Sequence, residues 1–272
     1  MDLSNENVIH IKKSGIQYLQ FKKLLEYNEI VQHCFTLKPL DFGNNDTYEH
    51  NKKIITENYK TICNCLNLDY NNIIRPFQVH SNSIKTVTEK GIFLDEYQNI
   101  DGLITSKPNQ ILSLTYADCI PLYFFDSNKK IIANIHSGWQ GTLKKIGKIA
   151  VEKLIKEYNS KCEDIICVIG PCIRKCHFEV DEEVQKEFSN KFTEIVGIND
   201  LISKGNIIKG KQKYYIDTVE INRRMLKEEG LKEENIIDSK ICTVCNSDLI
   251  YSYRGNDETM CRNTSLICLK NI

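Results

Sequence analysis

Short apolar runs broken by polar turns alternate with longer segments whose apolar residues recur every three or four positions. The runs predict strands at 30–36, 73–79, 83–88, 111–116, 120–126, 130–136 and 165–170, with others near 235–237, 248–253 and 265–269. Helical periodicity predicts a helix over 47–68, with Tyr48, Ile55, Tyr59, Ile62 and Leu66 on one face. A second covers 140–159, where Leu143, Ile146, Ala150, Leu154 and Tyr158 share a face. Helices also fit 181–190, with Asp181 as N-cap, and 217–230, with Asp217 at the start and Gly230 at the stop. Strands come in hairpin runs interrupted by single helices rather than in strict alternation. That order predicts an α+β fold, with mixed or antiparallel sheets packed between helices. No repeat, low-complexity tract or linker divides the chain, so one domain over 1–272 is expected.

Composition narrows the function classes. Lys and Arg number 36, Asp and Glu 36, and the formal net charge is zero. A nucleic-acid binder usually carries a basic excess or stripe, so none is expected as a partner. The basic stretch 204–215, "KGNIIKGKQKYY", reads as a solvated loop. No run approaches the ~18 apolar residues of a membrane span, and the first residues hold no apolar signal core, so a cytoplasmic, membrane-free protein is expected. In a reducing compartment the 12 cysteines are thiols or metal ligands rather than a disulfide framework. The "CTVC" at 242–245 is a lone C-x-x-C and reads as structural thiols. Cysteines 162, 167, 172 and 176 match no common cluster spacing and read as strand and loop thiols.

The candidate chemistry lies in "IANIHSGWQGTLKKI", residues 132–146. An apolar strand stops at His136 and a helical pattern begins after it. The strands 120–126 and 130–136 form a hairpin, and a two-residue Ser127–Asn128 turn would set Cys119 opposite His136, with Cβ atoms roughly 5 Å apart. A longer loop shifts the register but keeps the two near each other. A thiolate beside an imidazole suits zinc ligation or a Cys–His nucleophile pair, and equally a structural cysteine beside an ordinary histidine. Of six histidines, His80 in "PFQVHSNSI" also sits where an apolar strand breaks, and it is the natural third ligand. The "SGWQGT" loop enters a helix near Gly141–Thr142, a position suited to an anion or to simple capping by Thr142.

These residues are similar to a known family. "QVHS", "DGLIT", "ADCIPLYF", "HSGWQGT", "IGPCIRKCHFEV" and "CTVCNSDLIYSYRGNDETMCR" follow the order of the laccase-domain family. That family was once labelled polyphenol oxidase and is also called YfiH- or YlmD-like. The resemblance runs from about residue 33 to the C-terminus and implies a CNF1/YfiH-like α+β domain. It implies a zinc site at His80, Cys119 and His136, in agreement with the hairpin reading. It also implies phosphorolysis of adenosine, inosine, guanosine and S-methyl-5′-thioadenosine, and deamination of adenosine. Some members are described as editing peptidoglycan precursors. The expected partners are a small nucleoside and phosphate, and the oligomeric state is left open.

This chain departs from the family pattern at Gln140 and Gly255, where arginines are usual, at Cys261 for a glycine, and in "QVHS" for "QVHG". Arg254 and Arg262 remain as candidates for phosphate contact. Phosphorolysis would set phosphate against C1′ of the ribose, and deamination would set water against C6 of adenine. Asp118 is a candidate proton carrier or ligand-orienting group. Gln78, Gly138 and Gln140 are further substrate-binding candidates. A multicopper oxidase is excluded, since it needs on the order of ten imidazoles and no His-x-His pair is present. Two rivals keep the same residues: a metal-free Cys119–His136 hydrolase, and a zinc-stabilised interaction protein without turnover.

Overall fold

Two six-stranded sheets lie face to face in the computed structural model, which describes residues 1–43, 45–88, 97–195, 197–256 and 259–271. The first has the order β1 (Val8–Lys13), β2 (Ile16–Phe21), β3 (Val31–Thr36), β15 (Asn263–Leu269), β7 (Ile111–Tyr116) and β4 (Ile73–Ile74). The second has the order β14 (Ile236–Asp238), β10 (Ile165–Ile169), β8 (Ile120–Asp126), β9 (Ile131–Ser137), β6 (Gly102–Thr105) and β5 (Ile84–Thr86). Pairing is mostly antiparallel, with parallel pairs at β4–β7, β5–β6 and β10–β14. The sheets are joined by apolar side chains of alternate strand positions: Leu19, Phe21, Leu112 and Ile267 from one, Tyr123, Phe125, Ile132 and Val168 from the other.

The outer faces are closed by helices. Ile55, Tyr59, Ile62 and Leu66 of α2 (Asn45–Leu66) cover the first sheet, as their spacing predicts; the side chain of Tyr48 is outside the described residues. Ile146, Ala150 and Leu154 of α4 (Ile146–Tyr158) cover the second sheet, together with Val219 and Leu226 of α6 (Thr218–Glu228). A small sheet of β11 (Glu179–Asp181), β13 (Lys211–Ile216) and β12 (Ile202–Ile208) packs with α5 (Glu182–Lys191) into a separate apolar cluster. The expected α+β class, with sheets between helices, is therefore the observed one.

Several local expectations are corrected. The helix expected over 140–159 is two: α3 (Trp139–Leu143) and α4, separated at Lys145, whose φ is 60°. Leu143 packs into the small-sheet cluster while Ile146 packs on the second six-stranded sheet, so the shared spacing spans two different cores. The stretch 204–215 is not a solvated loop but most of the β12–β13 hairpin, with Lys209 and Gly210 at positive φ in its turn. The β1–β2 hairpin, unforeseen, turns the same way through Ser14 and Gly15. Residues 248–253 form no strand; the side chain of Asn263 takes the place of a neighbouring strand, accepting from the backbone N–H of Tyr251 and donating to its carbonyl. The strand expected at 73–79 ends at Ile74. Asp181 flanks α5 but makes no capping bond, whereas Asp217 caps α6 by accepting from the N–H of Glu220.

Candidate active site

The β8–β9 hairpin delivers the first two groups. Its register pairs Pro121 with His136 and Ile120 with Ser137, two residues away from the tight-turn expectation. The turn runs through 127–130, because Asp126 accepts hydrogen bonds from the N–H groups of Asn128 and Lys129 and Lys130 takes a φ of 53°. Cys119 therefore sits just before β8 rather than opposite His136. The two side chains still meet at one end of the hairpin, and His80 joins them from the loop between β4 and β5. Nε2 of His80 lies 3.7 Å from Sγ of Cys119, and the rings of His80 and His136 are 5.0 Å apart. One ligand atom from each of His80, Cys119 and His136 falls within 4.8 Å of the others, an arrangement that could hold a metal ion.

Asp101, which begins the "DGLIT" segment, organises this cluster and was not among the residues singled out from sequence. It is fully buried. Its carboxylate accepts from the backbone N–H groups of Val79, His80 and Ser81, from the Ser81 hydroxyl, and from Nδ1 of His136 at 2.8 Å. Those bonds hold the His80 loop, including His80 at a φ of 59°, and leave Nε2 of His136 for a ligand. Burial works against charge on Asp101, but the His136 and Ser81 hydrogen bonds outweigh it and hold the carboxyl at about 2. Burial likewise opposes charge on Cys119 and His136. The attraction between them wins, drawing the thiol down to about 6 and, with help from Asp101, the imidazole up to about 9.

Gly138 makes the close approach possible. A Cβ there would stand 2.7 Å from Cδ2 of His80 and 3.1 Å from Sγ of Cys119. Glycine is needed for space, since its φ of −68° is open to any residue.

A cavity of about 540 Å³ opens over the triad. Gln78, Asp118, Arg254 and Arg262 line it, as do the aromatic rings of Phe77, Trp139, Phe178 and Tyr253. Gln78 hydrogen-bonds the backbone of Thr115 through both ends of its amide. Asp118 is buried, with a φ of 83°. Its carboxylate accepts from the hydroxyls of Thr243 and Ser252 at 2.6 Å each, and from the N–H of Arg254 at 2.7 Å. The Arg254 side chain donates to the carbonyl of Glu179, and that of Arg262 to the carbonyls of Thr259 and Cys261. Gln140 lies apart, in a neighbouring depression beside Lys144 and Glu187.

The helix after His136 begins at Trp139, not at Gly141–Thr142. Thr142 is not a cap: its hydroxyl pairs with that of Ser137 and accepts from Asn222. The "CTVC" thiols, expected to be merely structural, lie beside Cys176 and His177 in a second group that could hold a metal. Among the described residues, no helix is long and apolar enough to cross a membrane.

Comparison with known proteins agrees with this architecture. Residues 36–270 match the family model described as multi-copper polyphenol oxidoreductase laccase. The chain is 31% identical over 240 residues to a protein named purine nucleoside phosphorylase YlmD from Bacillus subtilis (strain 168), covering 86% of this chain and 84% of that one. It is 37% identical over 177 residues to a purine nucleoside phosphorylase of Borreliella burgdorferi, covering 65% and 71%. The crystal structure of the hypothetical protein YfiH from Bacillus licheniformis superposes with a TM-score of 0.82 at 25% identity, over 96% of this chain and 99% of that one. YlmD from Geobacillus stearothermophilus shares the fold, with a TM-score of 0.82 at 21% identity over 97% and 100%. With the family model matched over residues 36–270, the chain belongs to the laccase-like family.

Proposed function

We propose that this chain is a zinc-dependent purine nucleoside phosphorylase acting on adenosine, inosine, guanosine and S-methyl-5′-thioadenosine, with adenosine deamination as a second activity of the same cavity. The observation that carries the reading is the convergence of His80, Cys119 and His136 at a cavity that also holds Arg254 and Arg262. The relatives named purine nucleoside phosphorylase support it. The donor set fits zinc: one thiolate and two imidazoles match a catalytic site with three protein ligands and one position for a reactant. Once bound, a zinc ion there supplies Lewis acidity towards an oxygen of the reactant.

The chain's own groups account for the remaining needs. Phe77 and Tyr253 are large exposed aromatics, 40% and 38% accessible, and both face the cavity. Such rings suit stacking on a purine. Arg254 and Arg262 supply positive charge for phosphate, whose oxygen bonds to C1′ as the C1′–N9 bond breaks and its electron pair leaves with the base. The three hydrogen bonds into Asp118 favour a positioning role for it, holding the Arg254 segment, over that of proton carrier.

The test is chromatography of adenosine and inosine incubated with the zinc-loaded protein, with and without phosphate. Free base released only with phosphate is expected, together with its loss in Cys119→Ala. No base from either nucleoside, nor from guanosine or S-methyl-5′-thioadenosine incubated in the same way, at one zinc per triad would end the proposal. A second reading rests on the Cys119–His136 pair, a thiol drawn down beside an imidazole drawn up, which suits a metal-free hydrolase. Activity that survives a chelator would favour it.

A further inference from the structure

Cys176, His177, Cys242 and Cys245 come from two distant segments and meet outside the cavity, with their ligand atoms within 4.8 Å of one another. Sγ of Cys176 lies 3.7 Å from Sγ of Cys242 and 3.9 Å from Sγ of Cys245. Nδ1 of His177 lies 3.1, 3.7 and 3.5 Å from the sulfurs of Cys176, Cys242 and Cys245. A tetrahedral zinc with bonds of about 2.3 Å to sulfur and about 2.0 Å to nitrogen sets sulfurs about 3.8 Å apart and sulfur from nitrogen about 3.5 Å. The observed edges fit that tetrahedron. All four cysteine-bearing positions nearby, Cys172 included, are free thiols.

The two segments are already aligned by backbone bonds: Cys172 donates to the carbonyl of Ile241, and Thr243 to that of Cys172. Arg174 is fixed by a two-pronged ion pair to Asp238, at 2.6 and 2.7 Å. Cys176 and Cys245 are exposed, which leaves a path for an ion to enter.

We propose that Cys176, His177, Cys242 and Cys245 bind a second zinc ion, with a structural role. With four protein ligands it has no position for a reactant. It cross-links the segment carrying Ile173 and Phe178, which line the cavity, to the segment whose Thr243 holds Asp118. The proposal is independent of the reading of the triad.

The experiment is cobalt substitution and metal analysis on the full chain with the triad disabled by His80→Ala and Cys119→Ala. One tightly held ion per chain is expected, with the intense sulfur-to-cobalt absorption of three thiolates. Adding Cys245→Ser, an exposed position, should remove that absorption and lower the melting temperature. Should Cys245→Ser yield no folded protein, the triad-disabled chain still decides the matter by its own metal content and spectrum. No ion in that chain, or a disulfide among Cys176, Cys242 and Cys245 in mass spectra of protein purified without reductant, would overturn the proposal.

Discussion

At the scale of single residues, the most informative position is Asp101. Its backbone and side-chain acceptors tie the His80 loop to β9, so the ligand geometry depends on a residue that touches no substrate. Asp101→Asn keeps the shape but places an amide N–H where an N–H or the imidazole already donates. Metal affinity of the triad is expected to fall about 10–100-fold, as for other partners of ligating histidines. A competition titration with a coloured chelator reads this directly, and unchanged affinity would show that Asp101 is only a loop anchor. Another buried group sets a pH limit. Nε2 of His33 accepts from the N–H of Phe21 at 2.8 Å, and burial pushes the ring down to about 3. The folded ring stays neutral, while the unfolded chain gains a proton below about pH 6.5. The unfolded state then binds more protons, so this ring lowers stability as pH drops from about 6.5 towards about 3, by up to about 1.4 kcal/mol per unit. An NMR titration should show the His33 ring signals unmoved down to about pH 4, and a midpoint near the ordinary histidine value would refute the assignment.

At the scale of elements, long one-sided periodicities were legible and turn chemistry was not. The apolar face of α2 and the strands β7 and β8 match the residues expected of them, because burial on one side or both writes a clear pattern. The N-terminal hairpin escaped notice because β1 leaves most of its residues partly or fully exposed, and its Ser14–Gly15 turn lacks the usual Asn-Gly signal. The break at Lys145 was invisible since Leu143 and Ile146 keep helical spacing while facing different cores. His80 and His136 were found because each marks the end of an apolar run, and Cys119 because the hairpin brings it near His136, although the register that does so is two residues from the expected one. Asp101 was hidden because an aspartate before a strand usually reads as a turn, and Cys176 and His177 because nothing local joins them to residues 242–245. Core energetics also belong at this scale. Leu154 on α4 is fully buried against the second sheet. Leu154→Ala is expected to cost about 2–5 kcal/mol in denaturant unfolding while leaving metal content intact, since α4 covers the sheet face away from the triad. Loss of metal in the folded variant would mean that the helix layer and the triad are coupled.

At the scale of the whole molecule, the cavity lies where the chain passes between its two large sheets. Cys119 sits in the short link from β7 to β8, His80 in the link from β4 to β5, and Arg262 immediately before β15. Such crossings leave backbone groups that no sheet ladder satisfies, and Asp118 supplies acceptors for them. Its carboxylate binds Thr243, Ser252 and Arg254, and its carbonyl accepts from Ile173, so one residue ties the Ile173 and Arg254 parts of the cavity wall to the segments behind them. This leads to a prediction that separates positioning from proton transfer. In Asp118→Asn one oxygen can still accept from Thr243 and Ser252, but the amide nitrogen meets the N–H of Arg254 donor to donor. Leaving that group unsatisfied costs about 1–3 kcal/mol, which the segment carrying Arg254 relieves by moving. If Asp118 positions this wall, KM for phosphate should rise with little change in kcat, and triad metal content should stay at the wild-type level. If Asp118 carries a proton, kcat should instead fall about 10²–10⁴-fold with KM for phosphate unchanged. Steady-state kinetics of inosine cleavage over a range of phosphate concentrations decides between them, and the hydrogen bonds around Asp118 favour the first outcome.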